Sequence, residues 1–135
     1  MTNRKKSIGF TLIEMLIAVA IMGILASVAY PSYTEFITRS NRVEAQRELV
    51  RLANLQEQVF VDTRNYTEDM KALGMKADPH ETEHGNYDID ATVNGVTFVL
   101  TATAKDAQAK DTECKTLTID ETGTKGGTSA DCWEK

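Results

Sequence analysis

Cysteine, proline, histidine and tryptophan are all scarce in this chain, at two, two, two and one residue among 135. The two cysteines, Cys114 and Cys132, form no CxxC pair, which removes the common redox motif. There is no Ser, His and Asp set, no glycine-rich phosphate loop and no EF-hand spacing. The signatures of hydrolytic, nucleotide-dependent and calcium-sensing proteins are therefore missing. Both histidines fall in one stretch, His80-Glu81-Thr82-Glu83-His84, whose letters match HExxH. That zinc-protease motif works on a supported helix. Here Pro79 precedes it, Gly85-Asn86 follows it and no apolar stripe would seat a helix, so no catalytic metal and no cofactor is expected. Positive charge is not in surplus either: 15 Lys and Arg stand against 20 Asp and Glu, a formal net charge of −5.

What the chain does have is one long apolar run, from Ser7 to Pro31. Between Phe10 and Tyr30 the only charged side chain is Glu14. At helical rise that stretch is about 31 Å long, the thickness of bilayer hydrocarbon, and it predicts a membrane span. Arg4, Lys5 and Lys6 stand immediately before it and place the N-terminus on the cytoplasmic side, with everything after Pro31 across the membrane. No small-residue cleavage site stands out after Tyr30, so the apolar stretch is expected to be kept. Glu14 is the anomaly. A charge in hydrocarbon costs roughly 2.5–3.5 kcal/mol, which asks for a partner. The plain alternative is a Glu that is protonated, or one that snorkels to the headgroups of a lone anchor helix.

Lys5-Lys6-Ser7-Ile8-Gly9-Phe10-Thr11-Leu12-Ile13-Glu14 resembles the class III signal of type IV prepilins and pseudopilins, and Pro31 falls where many pilins carry a helix-kinking proline. The resemblance implies cleavage after Gly9 by prepilin peptidase, N-methylation of Phe10 and a role for Glu14 in subunit assembly. The physics agrees with it. A helix start exposes free N–H groups and a positive dipole end, cleavage adds an amine, and an acid one turn along a neighbouring subunit's helix suits both. Glu14 would then measure register between subunits. Three of the basic residues lie before the cleavage point, so the processed chain has 12 basic against 20 acidic residues, a formal −8. Long-range attraction to nucleic acid is thereby disfavoured and no specific nucleic-acid partner is expected, although a local basic patch on an assembled filament could still bind DNA.

After Pro31 the pattern continues rather than breaking. Ala45, Leu49, Leu52, Leu55 and Val59 step at helical spacing while Glu44, Arg47, Glu48, Arg51 and Glu57 take other faces, which predicts an amphipathic helix reaching Phe60. Its first half must be buried by lipid or by copies of itself, and Ala18, Gly23, Ser27 and Ala29 would permit close approach. Val61 to Asn86 reads as a long connection with a short helix near Thr67 to Leu73. Val59-Phe60-Val61-Asp62-Thr63-Arg64-Asn65-Tyr66 resembles the end of the long helix in PilE-like pilins.

Strict alternation then marks two strands, Tyr87 to Val93 and Val96 to Ala102, joined by Asn94-Gly95. As a two-residue type I′ turn, that pair predicts Val93 opposite Val96 and Ala91 opposite Phe98. Thr116 to Asp120 reads as a third strand. Asp88, Asp90 and Asp120 are read as solvated acids of the outer sheet face rather than calcium ligands. In a periplasmic setting Cys114 and Cys132 are expected to form one disulfide, with two reduced thiols as the alternative.

The expected architecture is α+β, a type IV pilin fold: a leader over residues 1–9, a long helix over 10–60 with 10–30 in the membrane, and a head over 61–135. The expected protein is a structural subunit of a type IV pilus, most like PilE-type minor pilins, and not an enzyme. Its expected partners are major and minor pilin subunits, prepilin peptidase and methyltransferase, the inner-membrane assembly platform, and lipid before assembly. It would reside in the inner membrane and then in an extracellular pilus serving adhesion or twitching. The rival readings are a pseudopilin of a type II secretion system and, in a different class, a membrane-anchored periplasmic enzyme or metal-binding protein.

Overall fold

A computed structural model describes residues 9–133; the expectations that fall on Arg4, Lys5, Lys6, Ser7 and Ile8 lie outside the described residues. The described chain begins with a helix, α1 (Leu12–Thr63), followed by strands β1 (His80–Glu81), β2 (Tyr87–Asn94), β3 (Thr97–Ala104), β4 (Thr116–Asp120) and β5 (Lys125–Gly127). Short 3-10 turns at Asp106–Lys110 and Ala130–Cys132 complete it. By internal contacts there are two compact units, the first ending at Phe36 and the second running from Ile37 to Lys135.

In the first unit the helix continues through Pro31. Proline removes one N–H donor from the helical ladder, and Ser32 and Thr34 beside it turn their hydroxyls back onto helix carbonyls, of Val28 at 3.2 Å and Pro31 at 2.8 Å. The helix ends at Thr63 because Arg64 adopts φ +62°, a left-handed conformation that closes helices, with its N–H on the Phe60 carbonyl at 2.8 Å.

The second unit is a helix face laid on an antiparallel meander, with strand order β1-β2-β3-β4-β5. The inward residues Tyr87, Ile89, Phe98, Leu100, Ala102 and Leu117 are buried, as are Ala45, Leu49 and Leu52 of α1. Burial of each larger side chain contributes on the order of 1.5–3 kcal/mol. The expected helical stripe is met with one change: Gln56 is wholly buried where Leu55 is only partly so. Gln56 can be buried because both its amide nitrogen and its amide oxygen find backbone partners. It donates to the Thr67 carbonyl at 2.5 Å and accepts from the Thr67 N–H at 3.0 Å, which fastens the linker to the helix.

The hairpin register differs from the expected one by two residues. Val93 faces Phe98, Ala91 faces Leu100, Ile89 faces Ala102 and Tyr87 faces Ala104. The loop is Gly95-Val96, because Asn94 and Thr97 still pair. Gly95 has φ +64° and Val96 is not among the left-handed residues, which is the type II′ arrangement with glycine first. The type I′ turn expected from Asn94-Gly95 would instead have placed Asn94 itself at positive φ. A slip of two preserves which face each side chain takes, so the pattern indicates the face but not the register.

Two further differences are local. The sheet has five strands rather than three, the additional β1 and β5 being two and three residues long. No helix forms at Thr67 to Leu73. Thr67 Oγ1 takes the Asp69 N–H at 3.1 Å and Asp69 Oδ1 takes the Lys71 N–H at 2.8 Å, side-chain bonds that favour turns over helix.

Candidate functional site

The candidate site is the start of α1. Phe10 and Leu12 are 75% and 82% exposed, and the large apolar side chains Ile13, Leu16, Val19, Met22, Ile24, Leu25 and Val28 are exposed as well. Among the described residues α1 is the helix long and apolar enough to cross a membrane. A surface of this kind in one chain has to be covered by lipid or protein.

Thr11 and Glu14 form a reciprocal cap at its head. The Glu14 N–H donates to Thr11 Oγ1 at 3.2 Å, and the Thr11 N–H donates to Glu14 Oε2 at 3.4 Å. This is a capping box, T-x-x-E, and it puts the carboxylate at the positive end of the helix. Within one chain the Glu14 carboxylate already has the backbone N–H of Thr11 as a donor. Capping contributes about 1 kcal/mol, less than half the roughly 2.5–3.5 kcal/mol that a carboxylate costs in hydrocarbon. Gly9, Phe10, Thr11 and Glu14 thus belong to one helix start, with Phe10 alone between the expected cleavage point and the N-cap.

The other sequence candidates lie in the second unit and do not converge. His80 Nε2 meets Glu48 at 2.7 Å and His84 Nδ1 meets Glu44 at 2.9 Å, so the two histidines are tied to successive turns of α1. His80 and Glu81 form β1 rather than a helix. Asp88 accepts from Lys105 Nζ at 2.9 Å, and Asp120 Oδ1 collects the Thr122 N–H, the Thr122 hydroxyl and the Thr124 N–H in one turn. Among the described residues no group of three or more His, Cys, Asp or Glu could hold a metal.

Glu48 carries a pH consequence. The Arg51 guanidinium, and after it His80, hold its carboxyl below the ordinary 4.5 against the opposing effect of partial burial. A carboxyl depressed in the folded state contributes stability above its unfolded pKa and loses it as pH falls through the folded value. Glu48→Gln should therefore remove part of the stability lost on acidification below pH ~4.5, by about 0.2–1 kcal/mol, with little change in the shape of the curve above that. Urea melts of both proteins between pH 3 and 7 measure it.

Sequence reasoning missed the polar fasteners of the second unit. Arg42 grips Asp111 through two bonds, of 2.6 and 2.7 Å, and the Asp111 side chain is 5% exposed. Buried Gln108 accepts from Asn41 Nδ2 at 3.0 Å and donates to the Thr38 carbonyl at 3.2 Å and the Tyr87 hydroxyl at 3.1 Å. Buried Gln46 donates to the Cys132 carbonyl at 2.8 Å. Glutamines at core-facing positions of a predicted helix and loop were the signal available. Cys114 and Cys132 are joined, closing the C-terminal loop.

An exposed apolar helix start with its single acid, a helix-on-meander head and a C-terminal disulfide loop together have counterparts among known proteins. Residues 31–118 match the family model described as type IV minor pilin ComP, DNA uptake sequence receptor, and residues 4–30 match the prokaryotic N-terminal methylation motif. The chain belongs to the type IV pilins. The fimbrial protein EcpC of Eikenella corrodens is 35% identical over 127 residues, spanning 92% of this chain and 80% of that one. The type IV major fimbrial protein FimA of Dichelobacter nodosus is 40% identical over 81 residues, 60% of this chain and 46% of that one. The major pilin PilA of Myxococcus xanthus is 41% identical over 66 residues, 49% of this chain and 30% of that one. The chain thus spans less than half the length of these two major pilins. A solved type IV pilin from Shewanella oneidensis shares the fold, with TM-score 0.54 at 21% identity over 73% of this chain and 99% of that one. This pilin is accordingly a structural subunit, and its family and relatives are not enzymes.

Proposed function

We propose that this pilin is a minor, PilE-like subunit that is cleaved after Gly9, methylated on Phe10 and built into a pilus through its apolar helix. Before assembly it spans the inner membrane once, with its N-terminus cytoplasmic and residues after Pro31 periplasmic. Phe10 and Glu14 dock to neighbouring subunits, Pro31 lets the helix bend, and the disulfide-closed head faces outward. The observation that carries this reading is Glu14 as the one charged side chain of an exposed apolar helix start, where it caps the helix with Thr11. The remaining partners are major pilins, prepilin peptidase and methyltransferase, and the assembly platform. Deletion of the gene tests the role: pili should become few or absent, with motility or adhesion lost, while a minor subunit is present in intact pili well below the amount of the main pilin. Normal piliation and motility in the deletion strain would refute it.

A second reading is uptake of DNA, favoured by the description of the family model that matches residues 31–118. The formal −8 of the chain after cleavage opposes long-range attraction to DNA, so such binding would be local and short-ranged. Gel-shift of labelled duplexes with the purified protein at two salt concentrations distinguishes it from a purely assembly-directed role.

A further inference from the structure

The sheet has an unfinished edge. On the β1 side, the Thr82 N–H donates to the Tyr87 carbonyl at 3.0 Å and the Tyr87 N–H donates to Thr82 Oγ1 at 3.2 Å. Alternation along a strand turns the backbone of Ile89, Ala91 and Val93 to that same side. Yet β1 reaches no further along β2 than Ile89. Ala91 and Val93 therefore run past the end of their neighbour, and edge donors of that kind are what another strand would pair with.

Neither donor is open. The Ala91 N–H is taken by Asp90 Oδ1 at 2.8 Å, and the Val93 N–H by Glu68 Oε1 at 2.9 Å. Glu68 comes from the linker 25 positions earlier, and it is held in place on both sides: Thr67 is bonded through both its backbone groups to buried Gln56, and Met70 is wholly buried. Its carboxylate offers Val93 what the carbonyl of an adjoining strand would offer.

We infer that Glu68 guards the sheet edge, and that the partner it keeps out is the β2 edge of a second copy of this chain. An antiparallel edge is self-complementary about a two-fold axis, so an unguarded β2 could pair with its own copy. The inference rests on the assembly reading for its purpose: copies that wait in one membrane before assembly meet each other there, and pairing through β2 would compete with packing through α1.

The test uses the full chain in detergent micelles as wild type, Glu68→Ala and Glu68→Gln, at one protein-to-detergent ratio. Deuterium exchange at Val93 and sedimentation over a range of concentration are read. In Glu68→Ala the Val93 amide should exchange up to about tenfold faster at low concentration, the factor of an ordinary hydrogen bond. It should slow again as concentration rises and a dimer appears. Glu68→Gln keeps an acceptor oxygen and should match wild type in both measurements. Unchanged exchange at Val93 in Glu68→Ala, no added self-association in it, or equal association in Glu68→Gln would each overturn the inference. Because the readout is made on subunits in micelles, its failure leaves the assembly reading intact, and a subunit that never enters filaments would not alter it.

Discussion

Glu14→Ala is expected to leave cleavage after Gly9 intact while incorporation into filaments falls roughly a hundredfold. The substitution touches neither the scissile bond nor the basic residues before it, so processing should proceed. What is lost is the carboxylate, and a charge whose placement in hydrocarbon costs roughly 2.5–3.5 kcal/mol is retained only where a partner repays a comparable amount. Glu14→Gln separates two roles of the residue. Glutamine at this position of a capping box still accepts from the N-cap N–H, so the bond between Thr11 and residue 14 survives, but the charge does not. If Glu14 acts through a cation on a neighbouring subunit, the glutamine variant should fail in assembly as the alanine variant does. If it acts only by capping its own helix, glutamine should restore incorporation. Immunoblots of sheared pili against whole-cell protein read both.

Removal of the disulfide is the second large effect. Cys114 and Cys132 are separated by 18 positions, and a loop of that length contributes about 3 kcal/mol in the chain-entropy account. In a unit of this size, C114S/C132S should melt roughly 12–24 °C lower than the parent. The bond secures the tail alongside Gln46 on the Cys132 carbonyl, Trp133 Nε1 on the Gly126 carbonyl at 2.7 Å and the buried Trp133 ring. Calorimetry of oxidised and double-serine protein gives the difference, and a fall of under 2 °C would show that these bonds and the burial of Trp133 hold the tail without the disulfide.

Residues that face one way along a regular element were legible from sequence. Tyr87, Ile89, Ala91, Phe98, Leu100 and Ala102 all go inward as alternation requires, and Thr116–Asp120 is the strand that its pattern implies. Quantities that alternation leaves free were not. A slip of two residues keeps every side chain on its face, so the choice between turns at Asn94-Gly95 and Gly95-Val96 rests on backbone angles that the letters do not encode. The short edge strands β1 and β5 carry too few residues for a period to show. Around the candidate site, Glu14 was conspicuous as a charge inside an apolar run, whereas Gly9 and Phe10 were singled out only through the resemblance to prepilin signals. Thr11 was not singled out, because its role depends on where the helix begins. The same holds for Gln46, Gln56 and Gln108, whose burial is tolerable only because backbone groups distant in sequence meet them.

The whole account turns on whether the helix that begins at Leu12 is a trimmed, shared element rather than the anchor of a solitary protein. Mass spectrometry of the protein recovered from sheared surface filaments addresses this directly. The account predicts a polypeptide that starts at Phe10 and carries one N-methyl group, found in the same filaments as other pilins. A chain that retains Met1, one cut elsewhere than after Gly9, or one absent from every filament preparation would contradict it.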